Sequence, residues 1–305
     1  MTRIAVFAYS DTGHGCLKFL VERGESVVFV GTHADNPVET AWFPSVAELA
    51  RSKGIEPTFI AEPDDPSLVA KLEEAAPELI LSFYFRHLLP AEVLELPRLG
   101  AFNVHGSLLP KYRGRAPVNW AVLNGETETG ATLHVMTGKA DAGDIVDQEK
   151  VEIGPDDSAL QVQRRVTAAA VEILKRRIEE LKAGTAPRRP QDESQATKFP
   201  RRRPEDGLID WSQSAQRVHN LVRAVAHPFP GAYTYVFGAG KTYVWKTRLP
   251  HLGAHDTFPG QVRREEGRLL VACGDDRYVE VLSLQREGGE IAQARDFQLD
   301  LRDTR

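Results

Sequence analysis

The chain has 305 residues and a mass of 33.8 kDa, which is long enough for two domains or one large one. A net charge of -5 and a pI near 6.0 disfavour nucleic-acid binding through a broad basic face, and no apolar run reaches the roughly 18 residues of a membrane span. Two cysteines are too few for a disulfide framework or a cysteine metal cluster, so we expect a cytoplasmic protein without a secretion signal.

Strand-like and helix-like stretches alternate through the first half of the sequence, a pattern typical of an α/β fold with a parallel sheet. The predicted strands are 3–9, 26–32, 56–60, 78–84 and 100–105, and helices are predicted at 13–23, 45–53 and 67–75. Ligands bind such sheets beyond the carboxyl ends of the strands. We therefore expect a functional site at the end of the strand predicted at 100–105.

The pattern changes after two more predicted strands (130–136 and 144–153) and a long helix (158–183). Residues 184–204 contain four prolines and six basic residues, a composition typical of a linker. We predict a first domain over residues 1–186, a linker over 187–204 and a small β-barrel domain over 205–305. In this second domain a helix at 214–226 precedes strand-like pieces at 232–237, 242–246, 269–272 and 278–284.

Asn103 and His105 lie two residues apart at the end of a predicted strand, so their side chains point to one face of the sheet. The amide could hold a tetrahedral oxyanion, typically worth about 3 kcal/mol, while the imidazole moves a proton. Asp141, in the turn after the strand predicted at 130–136, offers a carboxylate to orient the imidazole. This set favours acyl or formyl transfer. The alternative is that both side chains only satisfy backbone groups of a loop.

Residues 103–110 and 112–117 read NVHGSLLP and YRGRAP, and this sequence resembles the signature of the 10-formyltetrahydrofolate-dependent formyltransferases. The resemblance covers nearly the whole chain. It implies that Asn103, His105 and Asp141 are the catalytic residues. It also implies a Rossmann-like, mostly parallel sheet domain that carries out catalysis, followed by a small OB-fold-like barrel.

Three further motifs resemble the formyltransferase domain of the bifunctional polymyxin-resistance enzymes, namely FYFRHLL at 83–89, GETETG at 125–130 and RAVAHPFPGA at 223–232. That domain formylates UDP-4-amino-4-deoxy-L-arabinose for lipid A modification. The bifunctional members carry a second, dehydrogenase domain, and here we expect the formyltransferase alone. The loop at 10–16 departs from the sequence of these enzymes, so the substrate could be a UDP-linked or a dTDP-linked amino sugar. The sequence does not fix the oligomeric state, and a homo-oligomer stays open.

The same resemblance implies contacts with 10-formyltetrahydrofolate. The predicted folate contacts are His87, Leu88, Leu89, Arg115, Thr137, Gly138, Lys139, Ala140 and Asp141. Arg115 suits a carboxylate or phosphate because its guanidinium is planar, although an exposed, solvated arginine is the alternative. Substrate contacts are predicted at Tyr9, Ser10 and Thr12, in the loop after the first strand, and at Arg201, which could bind a diphosphate.

Methionyl-tRNA formyltransferase is the first alternative, because it shares the Asn-x-His chemistry. Its relatives commonly carry a basic loop after the second strand, whereas residues 33–40 here are acidic. They also usually have alanine where this chain has Gly106. Lys198 and the arginines at 201–203 could touch nucleic acid, but four cations in a proline-rich segment are more typical of a solvated face. A tRNA substrate is therefore disfavoured.

Two other classes of protein remain as alternatives. A nicotinamide-dependent oxidoreductase would use Gly13, Gly15 and Asp35, but the dinucleotide fingerprint is incomplete because residue 18 is lysine. A folate-binding sensor without turnover would have no need for the Asn, His and Asp set. No Cys-x-x-Cys pair occurs, and we expect no metal.

Overall fold

The computed structural model describes residues 1–34, 42–236, 239–254 and 256–297. The chain folds as two compact units. The first comprises Met1–Pro117, Glu128–Glu152 and Gln163–Pro200, and the second comprises Val118–Thr127, Ile153–Val162 and Arg201–Arg305. Most of the segment predicted as a linker, up to residue 200, thus packs within the first unit.

Helices and strands alternate from the start of the chain to Pro200. The strands are β1 (Arg3–Ala8), β2 (Ser26–Thr32), β3 (Thr58–Phe59), β4 (Leu79–Phe83), β5 (Ala101–His105), β6 (Arg113–Gly114), β7 (Glu128–Val135), β8 (Ile145–Glu152) and β9 (Lys198–Phe199). The helices are α1 (Ser10–Glu22), α2 (Val46–Ser52), α3 (Pro66–Ala75), α4 (Ala91–Leu94), α5 (Pro117–Leu123) and α6 (Ala159–Ala183). In the described part of the chain, no helix has the length and apolar character needed to cross a bilayer.

A seven-stranded sheet forms the first unit, in the order β3-β2-β1-β4-β5-β7-β8. Strands β1 to β5 run parallel, whereas β7 is antiparallel to β5 and β8 is antiparallel to β7. The prediction of a Rossmann-like, mostly parallel sheet is confirmed. The third strand is shorter than predicted, only Thr58–Phe59. Pro57 precedes it and has no N–H for a ladder hydrogen bond.

Apolar side chains of the central strands form the core of this unit. Phe7 of β1 and Ile80 of β4 pack with Leu72 of α3 and Val93 of α4, and all four are fully buried. Continuous apolar runs such as 79–81 are expected for parallel strands that helices cover on both faces. This core holds the strands in position relative to one another, and so determines where the sheet edge with the candidate site lies.

Strand register places two polar side chains together at this edge. Asn103 of β5 lies beside Ser82 of β4 on one side and opposite His134 of β7 on the other. Directly opposed residues on neighbouring strands share a face of the sheet. His134, which has no neighbour in the sequence to suggest a role, is thereby brought next to Asn103.

The second unit is built on an antiparallel sheet, which confirms the predicted small β domain. Its sheet has the order β10-β11-β14-β13-β12, with β15 paired to β14. The elements are α7 (Ala215–Val225), β10 (Ala232–Val236), β11 (Gly240–Arg248), β12 (Val262–Glu265), β13 (Arg268–Ala272), β14 (Tyr278–Arg286) and β15 (Ile291–Gln293). The end of the strand predicted at 232–237 lies outside the described residues. Ser214 caps α7 by accepting a hydrogen bond from the backbone N–H of Arg217.

Candidate functional site

Asn103 is bonded to His134 across the β5–β7 pair. The Asn103 Nδ2 lies 3.1 Å from Nε2 of His134, and the other ring nitrogen lies 2.8 Å from the carbonyl oxygen of Val135. Because Nδ1 faces a carbonyl it carries the hydrogen, which leaves Nε2 to accept from the amide. His134 is buried and fixes which end of the Asn103 amide faces the ring. Sequence reasoning missed His134, since a lone histidine in an apolar strand gives no signal of its own.

Asp141 lies between two histidine rings. One of its carboxylate oxygens is 3.4 Å from Nδ1 of His105 and 3.6 Å from Nε2 of His134, while the other accepts the backbone N–H of Gly114 at 2.8 Å. The second nitrogen of His105, Nε2, donates to the carbonyl of Tyr112 at 2.8 Å. The structure thus brings the three predicted catalytic residues into one cluster, in which His134 joins Asn103 to Asp141.

The Asp141 carboxyl has a strongly perturbed pKa. Burial alone raises this pKa, but the charge of His105 and the backbone N–H of Gly114 outweigh burial and hold the pKa well below its ordinary value. The carboxylate is therefore ionised throughout the neutral range. A fixed negative charge at this position orients the neighbouring imidazole of His105.

The signature turn that follows His105 is held by a buried hydroxyl. Thr132 Oγ1 donates to the carbonyl of Ser107 at 2.6 Å and accepts the backbone N–H of Leu109 at 3.1 Å. The Ser107 hydroxyl in turn donates to the carbonyl of Lys111 at 2.6 Å. These bonds satisfy backbone groups that the turn would otherwise bury unpaired. They also fix the path of the chain from His105 to Tyr112.

Gly106 is required by the side chain of Tyr84. A Cβ built at residue 106 would overlap the Tyr84 hydroxyl and come within 2.8 Å of its ring. Tyr84 is half-buried, but desolvation of its hydroxyl raises the pKa of that group, and the hydroxyl lies 3.4 Å from Gln163 Oε1. The glycine at this position therefore has a steric cause within this fold.

The segment that follows β4 carries three of the predicted folate contacts, and these three residues differ in how exposed they are. Leu88 is 60 % exposed, whereas Leu89 is 4 % exposed and belongs to the core. The His87 ring is half-buried. The Arg115 guanidinium donates to the carbonyl of Arg86 at 2.5 Å. Arg115 therefore braces this segment.

The other predicted folate contacts lie in the loop between β7 and Asp141. Thr137 Oγ1 accepts the backbone N–H of Lys139 at 3.3 Å and lies 3.1 Å from its carbonyl. A Cβ built at Gly138 would meet nothing within 4 Å, and the Lys139 side chain is exposed. Residues 137–139 of this loop are exposed, and Ala140 is half-buried.

His33 joins the same region, and sequence reasoning assigned it only to a polar loop. Its ring stacks on Phe85 with centroids 4.3 Å apart, and its Nε2 accepts the backbone N–H of Arg86 at 3.0 Å. Burial lowers the pKa of His33 to about 4, and the charges of His87 and Arg86 act in the same direction. His33 is therefore a neutral acceptor that shapes the segment after β4. Nothing local in the sequence indicates this long-range partner.

Of the predicted substrate contacts, Tyr9 lies in an aromatic cluster. It is buried, its ring centroid lies 5.3 Å from those of His33 and Phe43, and the guanidinium of Arg86 lies 4.5 Å from the centroid. A cation over a tyrosine face is attracted by the ring quadrupole. The structure thus packs the Tyr9 ring against the Arg86 guanidinium.

The remaining predicted substrate contacts differ in burial. Ser10 is half-buried and donates to Asp11, whereas Thr12 is fully buried and accepts a hydrogen bond from Gln163 at 3.0 Å. Burial raises the pKa of Asp11 despite its hydrogen bonds. Arg201 is exposed in the second unit. In the described ranges, no group of His, Cys, Asp or Glu side chains is arranged to hold a metal ion.

Comparison with protein families identifies the class. Residues 3–178 match the model described as formyl transferase, and residues 202–300 match the formyl transferase C-terminal domain. The first match covers more than half of the chain. The protein belongs to the formyl transferase family and is a formyltransferase.

Solved structures resemble the chain over most of its length. WlaRD, described as a sugar 3N-formyl transferase in the presence of dTDP and 5-N-formyl-THF, has 18% identity and a TM-score of 0.73, covering 92% of this chain and 97% of its own. An N-formyltransferase from Helicobacter canadensis, in complex with folinic acid and dTDP-3-aminofucose, has 19% identity and a TM-score of 0.72, covering 92% and 99%. HypX from Aquifex aeolicus, in complex with tetrahydrofolic acid, has 20% identity and a TM-score of 0.66, covering 96% and 46%. At these identities the likeness establishes a common fold.

The contact between Gly106 and Tyr84 predicts an effect on stability. We expect Gly106→Ala to lower the free energy of unfolding by about 1–3 kcal/mol, because the ring or the signature turn must move. In a Tyr84→Phe background the loss should be at most half as large, since only the overlap with the ring remains. Urea unfolding of the four chains measures this coupling. Gly138→Ala, which meets no atom, is the neutral control, and equal losses in both backgrounds would contradict the steric cause.

The low pKa of Asp141 predicts a pH dependence of stability. An ionised carboxylate with a folded-state pKa below its ordinary value of 3.8 stabilises the fold above that value, and this contribution is lost as the pH falls. We expect the stability advantage of the chain over Asp141→Asn to shrink between about pH 5 and about pH 3. Unfolding free energies of both proteins across this range test it. An advantage that grows on acidification would show that the carboxyl is not held ionised.

Proposed function

We propose that this formyltransferase moves a formyl group from 10-formyltetrahydrofolate to the primary amine of a nucleotide-linked amino sugar. The observation that carries the proposal is the Asp141 carboxylate between the rings of His105 and His134, with Asn103 bonded to the second ring. This cluster combines an amide donor, an imidazole that can carry a proton and a fixed negative charge. Those are the groups that formyl transfer between two nitrogen atoms requires.

In the proposed reaction the neutral amine attacks the formyl carbon. A C–N bond forms, and the carbonyl oxygen becomes an oxyanion. One hydrogen of the Asn103 amide faces His134, which leaves the second hydrogen for that oxyanion. The intermediate then collapses, the bond to the folate nitrogen breaks, and that nitrogen takes up a proton while the new amide gives one up. Removal of such a donor typically costs about 3 kcal/mol or more.

His105 is the group that we propose moves these protons. Its Nε2 faces the Tyr112 carbonyl and its Nδ1 faces Asp141, so a doubly protonated ring donates to both. Because Asp141 stays ionised, it stabilises that cation and keeps the ring oriented. General acid and base catalysis of this kind typically contributes about 10²–10⁴-fold to the rate.

The folate co-substrate is supported by the structures of similar fold, which contain 5-N-formyl-THF, folinic acid or tetrahydrofolic acid. We assign its binding to the segment after β4 and to the loop before Asp141. His87, Leu88 and Arg115 are half-buried or exposed there, and Thr137, Gly138, Lys139 and Ala140 offer backbone groups. Leu89 supports this surface from the core instead.

UDP-4-amino-4-deoxy-L-arabinose is the acceptor that we favour, which would place the enzyme in lipid A modification and polymyxin resistance. The motifs at 83–89, 125–130 and 223–232 carry this choice. A dTDP-linked amino sugar is the second candidate, because WlaRD and the Helicobacter canadensis enzyme were crystallised with dTDP or dTDP-3-aminofucose. The acidic loop that argues against tRNA lies mostly outside the described residues, so that argument rests on sequence.

Substrate identity is tested with purified protein, 10-formyltetrahydrofolate and a panel of UDP- and dTDP-linked amino sugars, with methionyl-tRNA included. We expect mass spectrometry to detect one added formyl group on the UDP-linked arabinose amine. Parallel reactions with His105→Ala and Asp141→Ala should lose about 10²–10⁴-fold in turnover, and Asp144→Asn, in the same loop, should retain it. Formylation of another sugar would replace the acceptor, and formylation of tRNA alone would overturn the proposal.

His134 predicts a separate kinetic effect. Replacement by phenylalanine keeps a ring in the strand but removes the acceptor for the Asn103 amide. We expect His134→Phe to lower kcat by at least about tenfold, with little change in the KM for folate, because the amide is no longer held toward the oxyanion. Steady-state kinetics measure both constants. A raised KM with normal kcat would assign His134 to binding instead.

A further inference from the structure

Gln191 contacts the backbone on both sides of the catalytic turn. Its Nε2 donates to the carbonyl of Asp141 at 2.9 Å and to the carbonyl of Gly143 at 2.7 Å. Both hydrogens of the side-chain amide are thus used on one short turn. Asp141 has a φ of 55°, a left-handed conformation that costs a non-glycine residue free energy and needs such support.

The other end of the Gln191 side chain is held by Arg113. Gln191 Oε1 accepts from Nε of Arg113 at 3.2 Å and from Nη2 at 2.7 Å. The same guanidinium pairs with both carboxylate oxygens of Glu193, at 2.9 and 2.7 Å. Arg113 is only 8 % exposed, whereas the Glu193 side chain is 69 % exposed, so the contact with Gln191 is the better shielded of the two.

Arg113 and Gly114 together hold Asp141 at two points, its carboxylate and its backbone. The backbone N–H of Gly114 donates to the Asp141 carboxylate at 2.8 Å, while the Arg113 side chain reaches the Asp141 backbone through Gln191. Carboxylate and backbone are therefore tied to adjacent residues of β6. This closed path of hydrogen bonds fixes how the carboxylate is aimed at His105.

The segment that carries Gln191 is itself anchored to the signature loop. Strands β6 and β9 pair, the Arg113 N–H donates to the carbonyl of Thr197 at 2.9 Å, and the Tyr112 N–H donates to the Thr197 hydroxyl at 2.8 Å. The carbonyl of Tyr112 accepts from His105. Residues 191–199 therefore bond to the chain segments that contact both proposed catalytic groups, His105 and Asp141.

We propose that Gln191 is a positioning residue for formyl transfer, which holds the 141–143 turn so that the Asp141 carboxylate stays between His105 and His134. This inference rests on the proposed function, in which Asp141 takes part in catalysis. Glutamine is suited to the task because its amide donates to two carbonyls while its oxygen accepts from a guanidinium. A carboxylate at residue 191 could keep the contact with Arg113 but could not donate to the turn.

The test compares kinetics of Gln191→Met and Gln191→Glu with those of the unaltered enzyme. We expect kcat to fall by about 10–100-fold in both variants, since a displacement of about 1 Å in a catalytic group costs this much. The KM values for folate and for the amino sugar should change by less than about threefold. Gln191→Glu retains the Arg113 contact and guards against a folding defect in the methionine variant.

A matched control comes from the same segment. Gln195 is exposed, and its side-chain amide donates to the Asp192 carboxylate at 2.8 Å. Gln195→Met should keep normal kcat and KM. A loss in Gln195→Met equal to that in Gln191→Met would mean that any change in this segment lowers activity, and it would overturn the specific role of Gln191.

A double-mutant cycle separates this proposal from the proposed function. If Gln191 acts through Asp141, Gln191→Met should cause little further loss of kcat in an Asp141→Ala background. A full additional loss there, or a normal kcat for Gln191→Met beside an inactive Asp141→Ala, would overturn the positioning role alone. Normal turnover by Asp141→Ala would instead contradict the proposed function, and the positioning role with it.

Discussion

The Asp141 carboxylate is the feature on which the rest of the first unit depends. Removing a carboxylate from water costs several kcal/mol unless charges or donors replace the solvent. Here the replacements are the ring of His105 and the backbone N–H of Gly114. They come from β5 and β6, so the charge is stable only when these two strands are correctly placed.

The need to hold Asp141 in place explains why the segment before Pro200 packs within the first unit. Prolines and basic residues made residues 187–204 look like a solvated linker. In the structure Gln191 and Glu193 take up the guanidinium of Arg113, and β9 pairs with β6. Amino-acid composition describes only the average polarity of a segment. These hydrogen bonds depend instead on single side chains and their particular partners.

A second group of contacts shapes the region where we place the folate. His33 stacks on Phe85 and accepts the backbone N–H of Arg86, and Arg86 lies over the ring of Tyr9. A neutral histidine suits this position, because a proton on Nε2 would remove the acceptor. In the proposed function, proton transfer and co-substrate positioning therefore fall to different histidines, His105 and His33.

The sequence by itself determined the mostly parallel sheet, the β-rich second domain and the candidate residues Asn103, His105 and Asp141, because hydrophobic periodicity and short motifs are local properties. The tertiary structure alone decided that His134 lies opposite Asn103, that Gln191 reaches the Asp141 turn, and that Thr12 and Leu89 are buried. These outcomes depend on strand order, register and contacts between residues 31 to 78 positions apart. No local pattern encodes them, since each partner is chosen by the packing of the whole sheet.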